Sequence, residues 1–210
     1  LAEVDQALDI LSRAPATSRF ISRKLAVYFV SDDPPPALVE RMAATFRKTD
    51  GDIAAVLETM FGSAEFKTSL GTRFKDPMHF VVSAVRLAYD DRAIVNTLPL
   101  QNWLNRMAEP LYGRQTPDGY SLAEAAWTSP GQMATRFEIA RVIGAGAAPL
   151  FRSPGMVDAA EPVPLKLASD ASLTAVQSQV GAQTREALNA ATTPRDWNTL
   201  FLASPEFMRR

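Results

Sequence analysis

Between Pro15 and Phe66 the chain repeats one pattern three times: a start signal, an apolar stripe at helical spacing, and a charged opposite side. Thr17 or Ser18 can cap the first segment, where Phe20, Ile21, Leu25, Tyr28 and Phe29 share a face and Arg19 and Arg23 lie opposite. Ser31-Asp32-Asp33-Pro34-Pro35-Pro36 stops that helix and starts another, since proline suits a first helical turn and not an interior. Leu38, Val39, Met42, Ala43 and Phe46 form the second stripe, backed by Glu40, Arg41, Arg47 and Lys48. After the break Thr49-Asp50-Gly51-Asp52, the third stripe is Ile53, Val56, Leu57, Met60 and Phe61, and Ser63 offers a fresh cap for a short helix through Phe66 and Leu70. Stripes of this kind are buried by packing helices on one another, which predicts an all-α chain.

The rest extends that expectation to an irregular multi-helix bundle. Leu1, Val4, Leu8 and Leu11 predict a helix over 1–13 that ends at Pro15. Asp76-Pro77 opens a helix over 78–90 whose Phe80, Val81, Val82, Val85, Leu87, Ala88 and Tyr89 point almost all round, with only Ser83 and Arg86 polar on one side, and so is expected at the centre. Further helices are expected over 98–107, around Trp103, Leu104 and Met107, and over 132–144, with Met133, Phe137, Ala140 and Ile143 inward. Between them, 109–130 holds Pro110, Gly113, Pro117, Gly119 and Pro130 without a sustained period. It reads as a long aromatic loop with one short turn near 122–126. Residues 145–168 are rich in Ala, Gly and Pro and read as a strap over the surface. Helices return from about 172, with Thr193-Pro194 starting the last. The domain reading is a helical core over 1–145, a strap over 146–170 and C-terminal helices over 171–210 that pack on the core. A small echo, Ser63-Ala64-Glu65-Phe66 and Ser204-Pro205-Glu206-Phe207, reads as reuse of one helix junction.

Composition removes most kinds of chemistry. With no cysteine, thiol catalysis, disulfides and the common zinc sites are excluded, and a single histidine means that any imidazole chemistry must use His79. Twenty-two basic against 23 acidic side chains carry no nucleic-acid footprint. No apolar run approaches the roughly 20 residues of a membrane span. The chain starts at Leu1 without a leader, which reads as a piece of a longer protein or a mature form.

Two candidates for chemistry remain. His79 stands in the first turn of the central helix beside Asp76, either as a general base held by a carboxylate or as a polar residue at a helix start. The loop residues Tyr112, Arg114, Gln115, Asp118, Tyr120 and Trp127 could stack on and hydrogen-bond a sugar or peptide, or could instead plug a gap between helices. The pairs Asp32/Asp33, Asp50/Asp52 and Asp90/Asp91 fall at helix junctions and read as caps. Gly144-Ala145-Gly146 follows a helix, not a strand, and no cofactor is expected.

The wording of the chain also resembles a bacterial family. Pro15-Ala16-Thr17-Ser18-Arg19-Phe20-Ile21-Ser22-Arg23-Lys24-Leu25, followed by Tyr28-Phe29-Val30, is similar to the signature of domain of unknown function 1800. The likeness continues through Phe46–Asp52, Met60–Phe66, Phe74–Pro77, the aromatic loop and Ala134-Thr135-Arg136-Phe137, and returns at Ser204–Phe207. It is a likeness to the C-terminal half of that family. The resemblance implies a longer exported protein, periplasmic or secreted, with no activity established for the class. The expected partner is the remaining half of its own polypeptide or another exported protein. The function expected on these grounds is a non-catalytic helical scaffold or partner-binding half; the alternative is a hydrolase-like or carbohydrate-active protein with its site at the 112–127 loop.

Overall fold

A computed structural model describes residues 2–90, 92–153, 165, 167 and 179–210. The described residues form ten α-helices and no strand, so the all-α expectation holds. The chain divides into two compact units: residues 1–73 with 210, and residues 74–209.

Unit 1 holds α1 (Ala2–Arg13), α2 (Pro15–Phe29), α3 (Pro36–Lys48), α4 (Ile53–Phe61) and the short α5 (Ala64–Ser69). Prolines begin α2 and α3, where a missing N–H costs nothing, and Asp52 caps α4 by accepting from the N–H groups of Ala54 and Ala55. The stripe on α3 is buried as its spacing demands: Leu38, Val39, Met42, Ala43 and Phe46. Each of its larger members contributes roughly 1.5–3 kcal/mol by leaving water. Val56 and Met60 of α4 meet it from one side.

Helix α2 differs from its sequence expectation. Its fully packed edge is Ser18, Ser22 and Ala26, one residue every four, while Phe20 is exposed and Ile21, Leu25 and Phe29 are only partly buried. Small residues let the α2 and α3 backbones approach closely. That close approach decides which edge faces inward, and the bulkier apolar side chains are left flanking it. Arg19 to Glu40 (2.7 Å) then ties the wet sides of α2 and α3.

Unit 2 is built on α6 (Pro77–Tyr89), α7 (Leu98–Arg106), α8 (Pro130–Gly144), α9 (Ala182–Asn189) and α10 (Pro194–Leu202), with single 3₁₀ turns at Glu124–Ala126 and Pro149–Phe151. As expected, α6 lies in the core: Phe80, Val81, Ala84, Val85 and Tyr89 are buried, although Val82 and Arg86 face water. Trp103, Leu104 and Met107 of the α7 segment, and Ile139, Ala140 and Ile143 of α8, join the same core. Helix α10 crosses α8 at Gly144, where a Cβ would lie 2.8 Å from the Thr199 backbone nitrogen. Of the segment expected as a strap, Ala148, Leu150, Leu165 and Leu167 are described and buried; 154–164, 166 and 168–178 fall outside the described residues, as does any helix expected over 172–178.

The inward side of α8 needs one correction. Phe137 is 44% exposed, and its neighbour Arg136 is fully buried. One helical step separates them, and Arg136 wins the inner position because its guanidinium finds partners there. Nη2 donates to the Lys75 carbonyl oxygen (2.8 Å), Nη1 lies 3.7 Å from Met208 Sδ, and the group sits over the Phe74 and Phe80 rings at 4.8 and 5.0 Å. Burial still pulls its pKa down to about 10, against the attraction of Asp76 and Glu109.

The echoed phrases fold alike. Ser63 Oγ accepts from the N–H of Phe66 and Ser204 Oγ from the N–H of Phe207, both at 3.1 Å. In each, the glutamate between them reaches a distant segment of its own unit. Glu65 takes both carboxylate contacts from Arg41 (2.8 and 2.9 Å), and Glu206 accepts from Gly181 N–H and Thr184 Oγ (both 2.7 Å).

Candidate functional site

The aromatic loop of unit 2 closes on itself through its own backbone. Tyr120 Oη donates to the Pro110 carbonyl oxygen (2.7 Å), and Trp127 Nε1 donates to the Ser121 carbonyl oxygen (2.9 Å). Trp127 is 6% exposed, with its ring 6.4 Å from that of Tyr120. The first bond ties the start of the loop to its middle, and the second closes the stretch from Ser121 to Trp127.

The middle of the loop is wet. Arg114 Nη2 reaches both Asp118 oxygens (3.1 and 3.3 Å), and Thr116 Oγ1 donates to Asp118. The threonine hydroxyl, and after it the guanidinium, hold the Asp118 carboxyl below its ordinary value. Gln115 is exposed beside them. Tyr112 stands apart: its ring is fully exposed, and its backbone is left-handed (φ 55°), a conformation unusual for a bulky side chain. The structure thus pairs Tyr120 with Trp127 and joins Arg114, Thr116 and Asp118. It leaves the Tyr112 ring in solvent, where a flat ligand can reach it.

A second cluster lies at the start of α6. Asp76 Oδ1 accepts from the N–H of His79 (2.8 Å), and both its oxygens lie 2.7 Å from His79 Nδ1. Glu109 Oε2 accepts from the N–H of Met78 (2.8 Å). Because Pro77 has no N–H, those two carboxylates satisfy the first-turn donors of α6 in full. Burial, and then the neighbouring Asp76 charge, raise the Glu109 carboxyl above its ordinary 4.5, while His79 and Arg136 oppose the rise.

Sequence reasoning placed His79 beside Asp76 but missed Glu109 and Arg136. Glu109 lies 33 residues from Asp76 along the chain, behind a turn in which Ala108 is left-handed (φ 61°), and no periodic pattern marks it. The arrangement holds an imidazole by a carboxylate, which general-base chemistry also requires; here the same carboxylate serves as the helix cap. Among the described residues, no three His, Asp or Glu side chains converge to hold a metal ion, and no helix is long and apolar enough to cross a membrane.

An all-α chain with one oriented imidazole, a folded aromatic loop and a paired serine-capped junction is the class that this geometry defines. Within that class the chain belongs to the family described as protein of unknown function (DUF1800), whose model matches residues 1–209. The match also spans 138–203, between the phrases that carry the resemblance. No curated protein and no solved structure matches the chain.

Proposed function

We propose that this chain is a non-catalytic helical scaffold that binds a partner through α1, within a larger exported bacterial protein. The observation that carries the reading is the apolar stripe of α1. Val4, Leu8 and Leu11 recur at i, i+4 and i+7, yet they are 57%, 59% and 61% exposed. None of the residues of α1 is buried. A stripe with helical period is the pattern of a face that packs on something, and contiguous exposed apolar surface marks an interaction site. The family resemblance supplies the occupant: the remaining half of a longer polypeptide of this kind.

The test is to produce that remaining half separately and titrate it onto this chain. The reading expects a stable complex with wild type and none with the double variant Leu8→Glu, Leu11→Glu, whose helical circular dichroism stays unchanged. A complex indifferent to the double variant overturns the docking claim. Turnover by this chain alone, abolished by a single surface substitution, overturns the non-catalytic one.

One observation favours a second reading, a carbohydrate-active or hydrolase-like protein with its site at the 112–127 loop. The Tyr112 ring stands free in solvent, two residues along the chain from Arg114 of the Arg114–Asp118 pair, and so offers an aromatic platform. On this reading Tyr112→Ala abolishes retardation of the protein in polysaccharide-loaded affinity gels. Equal mobility of wild type with and without polysaccharide sinks it.

A further inference from the structure

Unit 1 carries a small concave site that the docking reading does not use. Arg13 ends α1, Ala14 joins it to α2, and the last turn of α3 lies alongside. Ser12, Arg13, Ser18, Arg47, Asp50 and Gly51 are among the residues around a concavity of about 150 Å³. The guanidinium of Arg47 is fixed on its wall from beneath. Ser18 is fully buried, its hydroxyl donates to the Pro15 carbonyl oxygen (2.8 Å), and it accepts from Arg47 Nη1 (3.0 Å). That bond uses one of the five donors of a guanidinium. Among the described residues Arg47 makes no ion pair.

The second guanidinium, Arg13, faces Asp50 at 3.7 Å, with both side chains largely in water (68% and 80% exposed). A pair so open is screened and easily exchanged for another anion. Asp50 stands on left-handed backbone (φ 51°), and Gly51 after it continues the turn (φ 90°), so the carboxylate is held at the mouth by the turn that ends α3.

The concavity, about 150 Å³ and open to solvent, has room for a tetrahedral oxyanion with its waters. Its charge selects the ligand class. Two guanidiniums against one displaceable carboxylate leave the lining with a net charge suited to an anion.

We propose that this concavity binds a phosphate group between Arg13 and Arg47, and that Asp50 occupies Arg13 when the ligand is absent. The phosphate can arrive as the free ion or as a lipid headgroup, and the experiment separates the two. Amide and Arg side-chain NMR resonances of the chain are followed during titration with inorganic phosphate, at constant ionic strength held with chloride. Saturable shifts are expected at Ala14, Arg47 and Gly51, and Arg47→Gln abolishes them.

Asp50→Asn removes the competing charge, and asparagine is at home in left-handed backbone, so the fold is kept. It tightens phosphate binding by roughly fivefold, the effect of one contact charge in water. A parallel arm sediments the chain with phosphatidylglycerol or phosphatidylcholine vesicles. Binding to the anionic vesicles alone, lost in Arg47→Gln and competed by free phosphate, supports the site with a headgroup as its source. Saturable phosphate shifts without vesicle binding support it with the free ion. Shifts that do not saturate, that persist in Arg47→Gln, or that ignore Asp50→Asn overturn it.

Discussion

Gly144→Ala is expected to destabilise unit 2 even though alanine is the better helix former. The residue ends α8 where α10 crosses it. An added Cβ would stand 2.8 Å from both the backbone nitrogen and the hydroxyl oxygen of Thr199, and 3.2 Å from the Asn198 carbonyl carbon. Two of those three atoms are backbone, so relief requires the helices to part, and that also strains the bond from Asn198 Nδ2 to the Gly144 carbonyl oxygen (3.2 Å). Overpacking of this kind costs about 1–3 kcal/mol, partly offset by the up to ~1 kcal/mol that alanine gains over glycine in a helix. A net loss of about 1–2 kcal/mol follows. Gly131, in the first turn of the same helix, is the internal control: nothing lies within 4 Å of its added Cβ, so Gly131→Ala should be neutral or stabilising by up to about 1 kcal/mol. All three tryptophans, Trp103, Trp127 and Trp197, belong to unit 2, so fluorescence-monitored urea unfolding reads that unit selectively. Equal midpoints for the two alanine variants would refute the close crossing of α8 and α10.

The other predictions rest on single contacts. Ser204→Ala removes the acceptor of the Phe207 N–H and should cost about 1 kcal/mol by tryptophan fluorescence; Ser63→Ala should cost a similar amount, read by circular dichroism in unit 1. Arg136→Ala opens a cavity between Phe74, Phe80 and Met208 and removes the guanidinium that donates to the Lys75 carbonyl, so unit 2 should lose at least about 2 kcal/mol in urea titration. Glu109 binds its proton more tightly in the folded than in the unfolded chain, so its charge opposes folding once pH exceeds the ordinary 4.5, and has no effect well below it. Glu109→Gln should therefore gain on wild type as pH rises from about 4 to 7, with Asp76, His79 and Arg136 the charged groups facing it; a stability difference that is flat or falls with pH contradicts the raised carboxyl.

The regular elements were legible because each carries both a period and punctuation. On α3, prolines start the helix, five apolar residues recur on one side, and Thr49-Asp50-Gly51 stops it; all five are buried. On α2 and α8 the period predicted a helix and most of the residues that pack on the core, but it placed Phe20 and Phe137 inward, where Ser22 and Arg136 are buried instead. Apolarity ranks Phe20 above Ser22 and Phe137 above Arg136, whereas the packed edge is decided by how closely a neighbouring helix approaches and by partners waiting for a guanidinium. Those partners, the Lys75 carbonyl, Met208 and two aromatic rings, come from segments distant along the chain, and no local pattern brings them together. The same holds for Glu109, which meets Asp76 only through the fold. In the aromatic loop the residue types were visible, but not that Tyr120 and Trp127 would spend their polar atoms on the loop backbone while Tyr112 kept its ring in water.

Amide hydrogen exchange across residues 4–11 puts the partner-docking account to its most direct trial, comparing this chain alone with the longer polypeptide proposed to contain it. Strong protection of α1 in the longer polypeptide, against rapid exchange in the isolated chain, is the predicted result. Equal exchange in both would leave Val4, Leu8 and Leu11 as ordinary surface and contradict it.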